Sequence, residues 1–140
     1  MLYDGGFLLG KKMSKQELEL GSNFNPKFDE NGLIPAIAQD YKTKEVLMLA
    51  YMNKEALQKT IATKQAHYYS RSRQKLWLKG ETSSQIQTIK SIKIDCDQDT
   101  ILLLVEIGGD GGCCHVGFQN CFYRTMDENG ALEINGKKPQ

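Results

Sequence analysis

The chain has 140 residues, 40% of them hydrophobic and 25% charged, with a formal net charge of +1. That size suits one domain with its own core and leaves no room for two catalytic domains. The near-neutral balance argues against nucleic-acid or anionic-membrane binding, which draws on a basic excess, and no apolar run is long enough to span a bilayer.

In chain order, residues 1–22 read as an N-terminal extension, 23–126 as the domain and 127–140 as a C-terminal tail. The first apolar pieces are brief, Asp4 comes early and no basic residues precede them. This is a poor secretory signal, so a cytoplasmic location is expected. Met13 is a second candidate start. In a cytosolic chain the four cysteines are expected as ligands or nucleophiles and not as disulfides.

Asn31-Gly32 marks a turn, after which residues 33–39 read as a strand whose Pro35 fits an edge or a strand start. A turn over Lys42-Thr43-Lys44 leads to a largely buried strand at 46–51, and the two strands make a hairpin. Asn53 is a good N-cap, Glu55 suits the first helical turn, and Ala56, Leu57, Thr60 and Ile61 share one face. That pattern predicts a helix ending near Thr63. Residues 66–72 and 76–78 have strand character. From Ile86 onward Thr88, Lys90, Ile92, Ile94 and Cys96 share a parity, with Lys90 an odd member and Ile89 on the other side. Residues 101–107 form a continuous apolar strand, so Asp97-Gln98-Asp99 is expected to turn between two paired strands. Mostly antiparallel strands with one main helix give an α+β domain.

Chemistry concentrates in the second half. In extended backbone Asp95, Asp97 and Asp99 share one side, while Cys96 points the other way with Ile92 and Ile94. Three converging carboxylates repel unless a hard cation such as magnesium joins them, and the alternative is an acidic turn in water. Cys114 and Cys121 are separated by a loop containing Gly117, which lets both sulfurs meet one zinc ion. Cys96 would add a third thiolate and leave the fourth tetrahedral position open, as in catalytic zinc sites. The alternative is reduced cysteines in a core. His115 sits awkwardly for binding the same ion as its neighbour Cys114 and is better placed to give or take a proton beside a metal-activated water. Cys113 is an extra thiol, a neighbour of the site or a substitute for Cys114. The glycine-rich run at 108–112 permits close approach of a ligand or forms a hairpin tip. Residues 70–84 combine cations, hydroxyls and an aromatic. Arg71, Ser72, Arg73, Lys79, Thr82 and Ser83 can meet phosphates, with Trp77 and Glu81 beside them; a solvated basic loop is the alternative.

Several of these pieces occur together in one order: residues 46–53, Ser-Arg-Ser-Arg at 70–73, Leu-Trp-Leu-Lys-Gly-Glu-Thr-Ser at 76–83, Asp-Cys-Asp-Gln-Asp at 95–99, Cys-His at 114–115 and Cys-Phe-Tyr-Arg at 121–124. In this the chain resembles the phosphoribosyl-AMP cyclohydrolase family of histidine biosynthesis, over roughly residues 28–124. The resemblance implies hydrolysis of the N1–C6 bond of N1-(5-phosphoribosyl)-AMP by zinc-activated water. The product is the phosphoribosyl-formimino-AICAR phosphate intermediate. It further implies an intertwined homodimer whose zinc site is completed by cysteines of both subunits. Cys96, Cys114 and Cys121 match the zinc ligands, Asp95, Asp97 and Asp99 the magnesium ligands, and His115 the family's proposed acid or base. The chain departs from the family pattern at Ser84, where glycine is usual, at Cys113, where a small residue is common, and at Leu78, where many members carry histidine. A zinc nucleobase deaminase, the first rival reading, would carry His-x-Glu and Cys-x-x-Cys motifs, which are absent. A binding module with structural zinc, the second, would need a closed four-ligand site.

Overall fold

A computed structural model describes residues 14–139; the expectations for Asp4 and Met13 lie outside them. The centre is a four-stranded sheet. Strands β1 (Ile34–Asp40) and β2 (Val46–Met52) form the expected hairpin, pairing antiparallel from Ile34 opposite Met52 to Gln39 opposite Val46. Its turn is tied by the Asp40 carboxylate, which accepts from the Lys42 and Thr43 amides at 2.8 and 2.9 Å. Strands β3 (His67–Ser70) and β4 (Lys75–Leu78) pair as a separate hairpin, with the Tyr68 and Trp77 rings 5.4 Å apart. Strands β5 (Gln87–Ile94) and β6 (Ile101–Ile107) complete the main sheet in the order β2-β1-β6-β5.

The β1–β6 contact is parallel and the other pairings are antiparallel. An interior β1 removes the edge option for Pro35. Pairing with β6 begins one residue later, at Ala36, so the proline stands at the strand start, where its missing N–H costs no ladder bond to β6.

Alternation along β1 and β6 buries Ile34, Ala36 and Ala38 beside Ile101, Leu103 and Val105. Helix α2 (Lys54–Thr63) packs Ala56, Leu57 and Thr60 into this core. Asn53 caps it by accepting from the Ala56 amide at 2.8 Å, and Lys64 closes it in the left-handed conformation. Burying each large aliphatic side chain contributes roughly 1.5–3 kcal/mol. Thr60 is buried too, and its hydroxyl satisfies both the Ala56 carbonyl and the His67 amide.

The alternation expected along residues 86–96 fails at one point. The register of β5 against β6 shifts between Ile89 and Ser91, so one extra residue enters there. Gln87 and Ile89 face inward before the bulge, and Ile92 and Ile94 after it. Thr88 is exposed, contrary to its expected parity with Ile92. The bulge explains why: an inserted residue exchanges the two faces and moves Lys90 out of the core. Lys90 instead reaches Glu106 at 3.3 Å and the Tyr41 ring at 5.1 Å.

Two further elements lie near the termini. Helix α1 (Lys15–Leu20) starts with a capping box between Ser14 and Glu17. Strands β7 (Arg124–Met126) and β8 (Leu132–Ile134) form a hairpin around Asp127, whose carboxylate accepts from the Asn129 and Ala131 amides. Residues 127–139, set apart above as a tail, thus supply a strand. No helix among the described residues is long and apolar enough to cross a membrane.

Candidate active site

The acidic cluster sits where β5 turns into β6, as expected, but its geometry is that of a turn and not of a strand. The Asp95 amide donates to the Thr100 carbonyl and the Gln98 amide to the Asp95 carbonyl, both at 3.0 Å. Gln98 takes φ +59°. The Asp95 carboxylate accepts from the Asp99 and Thr100 amides at 2.9 and 3.1 Å. One oxygen from each of Asp95, Asp97 and Asp99 lies within 4.8 Å of the others. The three carboxylates therefore converge because the chain folds back, and Cys96 is an exposed turn residue that does not continue the face of Ile92 and Ile94.

Their titration follows from the convergence. Asp99 is pushed up because its hydrogen bonds with the Asp97 and Asp95 carboxyls need a proton. Burial pushes Asp95 up as well, yet the Asp99 and Thr100 amides outweigh it and hold Asp95 below the usual carboxylate range. An all-oxygen donor set under mutual repulsion fits a hard divalent cation such as magnesium.

Gln98 was invisible in the sequence as a structural residue. It is only 4% exposed, although acids flank it on both sides. Its side-chain carbonyl accepts from the Asn25 amide at 2.7 Å, and its amino group donates to the Leu18 and Asn23 carbonyls at 3.2 Å. Its own carbonyl accepts from the Lys27 amide at 2.7 Å. The acidic turn is thereby bolted to residues 18–27. Gln98→Ala keeps the left-handed backbone and removes the acceptor of the Asn25 amide, and should cost about 1–3 kcal/mol in urea unfolding. Gln98→Gly, which relieves the backbone, should cost less than Gln98→Ala.

The thiols gather at the other end of the sheet, on the loop between β6 and β7. Cys113 and Cys114 are buried there. The Cys114 amide donates to the Phe118 carbonyl at 3.1 Å and the Gly117 amide back to the Cys114 carbonyl at 2.9 Å, with Gly117 at φ +105°. The far end is pinned to the β1–β2 hairpin. The Cys121 amide donates to the Leu47 carbonyl at 2.7 Å, while the Glu45 carboxylate accepts from the Gln119 and Asn120 side chains.

Cys121 is in hydrogen-bonding contact with both Cys113 and Cys114. That contact with Cys113, then burial, drives the Cys121 thiol far up. Cys113 is held down by the same contact against its own burial, with the Lys79 ammonium helping. Burial raises Cys114. Sulfur donors sharing protons in this way fit zinc, which replaces them. No three of the four sulfurs all lie within 4.8 Å of one another, and Cys96 sits on the β5–β6 turn at the far end of β6 from the cysteine loop.

A cleft of about 620 Å³ opens beside the thiols. Cys113, Cys121 and His115 line one part of it, and Arg73, Trp77, Lys79, Glu81, Thr82 and Ser83 line another. The structure thus brings most of the expected nucleotide contacts onto one wall facing the cysteine loop. Arg71 and Ser72 are not on that wall. The Arg71 guanidinium lies 4.1 Å from the centre of the Tyr51 ring, and the Ser72 hydroxyl is 3.4 Å from that of Ser70. Neither Cys96 nor the three aspartates line the cleft. Lys79 ties the two walls together by donating to the Cys113 carbonyl at 2.6 Å.

Behind the cleft lies a buried polar chain that sequence reasoning missed. The Tyr68 hydroxyl donates to the Gln87 side-chain carbonyl at 2.6 Å, and the Gln87 amino group donates to the sulfurs of Met48 at 3.3 Å and Cys113 at 3.7 Å. Burial, then negative charge at Cys113 and Cys121, pushes the Tyr68 phenol up, so it stays a donor. The bulge at Lys90 hid Gln87, because simple alternation puts it on the solvent face.

The phosphoribosyl-AMP cyclohydrolase family model matches residues 48–123, a span that holds every cysteine, His115 and the three aspartates of the turn. A phosphoribosyl-AMP cyclohydrolase of Caulobacter sp. (strain K31) is 58% identical over 118 residues, covering 84% of this chain and 87% of the relative. One from Methanosarcina mazei is 62% identical over 109 residues, covering 78% and 86%. One from Chlorobium limicola is 54% identical over 119 residues, covering 85% of each.

Proposed function

The chain belongs to the phosphoribosyl-AMP cyclohydrolase family and is a hydrolase, and from that premise we propose that it opens the adenine ring of N1-(5-phosphoribosyl)-AMP, in histidine biosynthesis in the cytoplasm. Substitution at N1 makes the purine cationic and C6 electrophilic. Water adds at C6, the carbon becomes tetrahedral, and its collapse breaks the C6–N1 bond as N1 takes a proton.

Cys114 and Cys121 hold zinc, completed by Cys96 from a second copy of the chain. Zinc, when bound, supplies a Lewis acid that brings the pKa of water to about 7. His115, on the cleft wall beside Cys114, takes a proton from the attacking water and delivers one to N1. Asp95, Asp97 and Asp99 hold magnesium. Arg73, Lys79 and the hydroxyls of Thr82 and Ser83 offset the charge of the two phosphates, and Trp77 lies on the same wall for the base.

The homodimer has its own support. Cys96 is exposed, on the turn before β6, whereas Cys114 and Cys121 follow that strand. Val116 and Phe122 of the cysteine loop are exposed apolar residues, as are Met126, Leu132 and Ile134 of the β7–β8 hairpin. A partner covering them would remove a patch that a monomer rarely leaves open.

The observation that carries the reading is that one cleft is shared by the cysteine loop, His115 and the basic wall. The test follows absorbance as phosphoribosyl-AMP is offered to the purified protein with zinc and magnesium. Steady ring opening is expected, lost on chelation and restored by added metal. A protein that leaves this nucleotide unchanged with both metals present does not have the proposed activity.

A further inference from the structure

The last described residues double back onto the loop that carries Cys114, His115 and Cys121. The Asn135 and Gly136 amides both donate to the Tyr123 carbonyl, at 2.9 and 3.1 Å, and the Gln119 amide donates to the Lys137 carbonyl at 2.8 Å. Inside this embrace the Phe118 and Tyr123 rings stack at 4.2 Å, with the Lys138 ammonium 5.5 Å from the Phe118 ring. Two glycines mark how tightly the pieces meet. A Cβ on Gly136 would run into Tyr123, and one on Gly112 would come within 2.5 Å of the Pro139 ring.

We propose that residues 135–139 are a positioning strap for the reaction, holding the 112–123 loop in its catalytic shape. None of them lines the cleft, so they contribute no chemistry of their own. They lie beyond the family match, which ends at residue 123. The loop has internal bonds at Cys114 and Gly117, is anchored at Leu47 and Glu45 of the β1–β2 hairpin, and is held at Cys113 by Lys79 and Gln87. Those bonds leave the Gln119 amide and the Tyr123 carbonyl, which the strap takes up. Catalytic groups must be held to fractions of an ångström, and a displacement of about 1 Å can cost roughly 100-fold in rate. A strap bonded to the C-terminal half of a glycine-containing loop supplies that restraint. The inference rests on the loop being the catalytic one, as proposed above.

Two variants test it: a chain ending at Asn135, which keeps the β7–β8 hairpin, and Gly136→Val in the full chain. Each should lower kcat by roughly 10- to 100-fold. KM should move by less than about threefold, because the basic wall on residues 70–85 is untouched. Hydrogen exchange should quicken at the Cys114, Gly117 and Gln119 amides and stay unchanged along β1 and β6, which also reports that the variants are folded. Lys137→Ala keeps the carbonyl that the strap uses and should behave as wild type. The proposal is overturned if kcat is unchanged in both variants, if kcat falls without faster exchange in the loop, or if Lys137→Ala loses as much as the truncation. Should the unaltered chain leave phosphoribosyl-AMP unchanged with both metals present, the proposed function fails, while the exchange data still report on the strap.

Discussion

Cys121→Ser is expected to abolish ring opening, lowering kcat/KM by about 1,000-fold or more, and to remove zinc from the protein. Serine changes the donor chemistry at nearly constant shape. A serine hydroxyl does not ionise at neutral pH and is a hard, weak ligand beside the thiolate it replaces. The fold has little reason to respond. Cys121 is exposed, and its anchoring bond to Leu47 runs through the backbone amide, which serine keeps. Metal analysis, turnover and circular dichroism of one sample should show zinc and activity lost together with the secondary structure retained, and the melting temperature lowered only by the loss of bound zinc. Loss of activity with zinc fully retained would instead give Cys121 a role other than ligand.

His115→Ala should lower kcat by roughly 100- to 10,000-fold, leave KM within a few-fold and leave zinc content intact. His115 is exposed on the cleft wall, so alanine opens no cavity in the core. The pH dependence separates the possible roles. A group that hands protons between water and N1 should leave its ionisation on the kcat profile of the wild type, and that limb should vanish in the variant. If zinc content falls with His115→Ala, the histidine is a ligand and the proton has another carrier. Full activity in the variant would remove the proton role altogether.

Much of this site is readable from local chemistry. Asn53 as a cap, the stop near Thr63, the hairpin around Asp40 and the turn between β5 and β6 all rest on short-range signals that the folded chain obeys. Long-range features are another matter. The parallel contact of β1 with β6 joins segments far apart in sequence, and no periodicity reports it. One inserted residue at Lys90 exchanged the faces of β5 and concealed Gln87, the residue through which Tyr68 reaches Cys113.

The acidic cluster is instructive in the same way. Alternation in an extended strand and folding in a turn both bring Asp95, Asp97 and Asp99 together, so the expected convergence arrived by a different geometry. The cost of that turn is a left-handed Gln98, tolerated because its side chain holds residues 18–25 through three hydrogen bonds. A glutamine between acids looks like surface until its partners, more than seventy residues earlier, are seen. The capping box at Ser14 lies in the stretch read as an extension.

The central claim is that ring opening occurs at a metal centre shared by two copies of the chain, and mixing two inactive variants tests it most directly. Cys96→Ser and Cys121→Ser chains, each inactive alone, are combined in equal amounts and allowed to exchange subunits. Half of the dimers then pair one chain of each kind, and each such pair rebuilds one site from an intact Cys96 and an intact Cys114–Cys121 loop. The account predicts recovery of about one quarter of the wild-type turnover per chain. No recovery from a mixture shown to contain mixed dimers would contradict it and place Cys96 outside the shared centre.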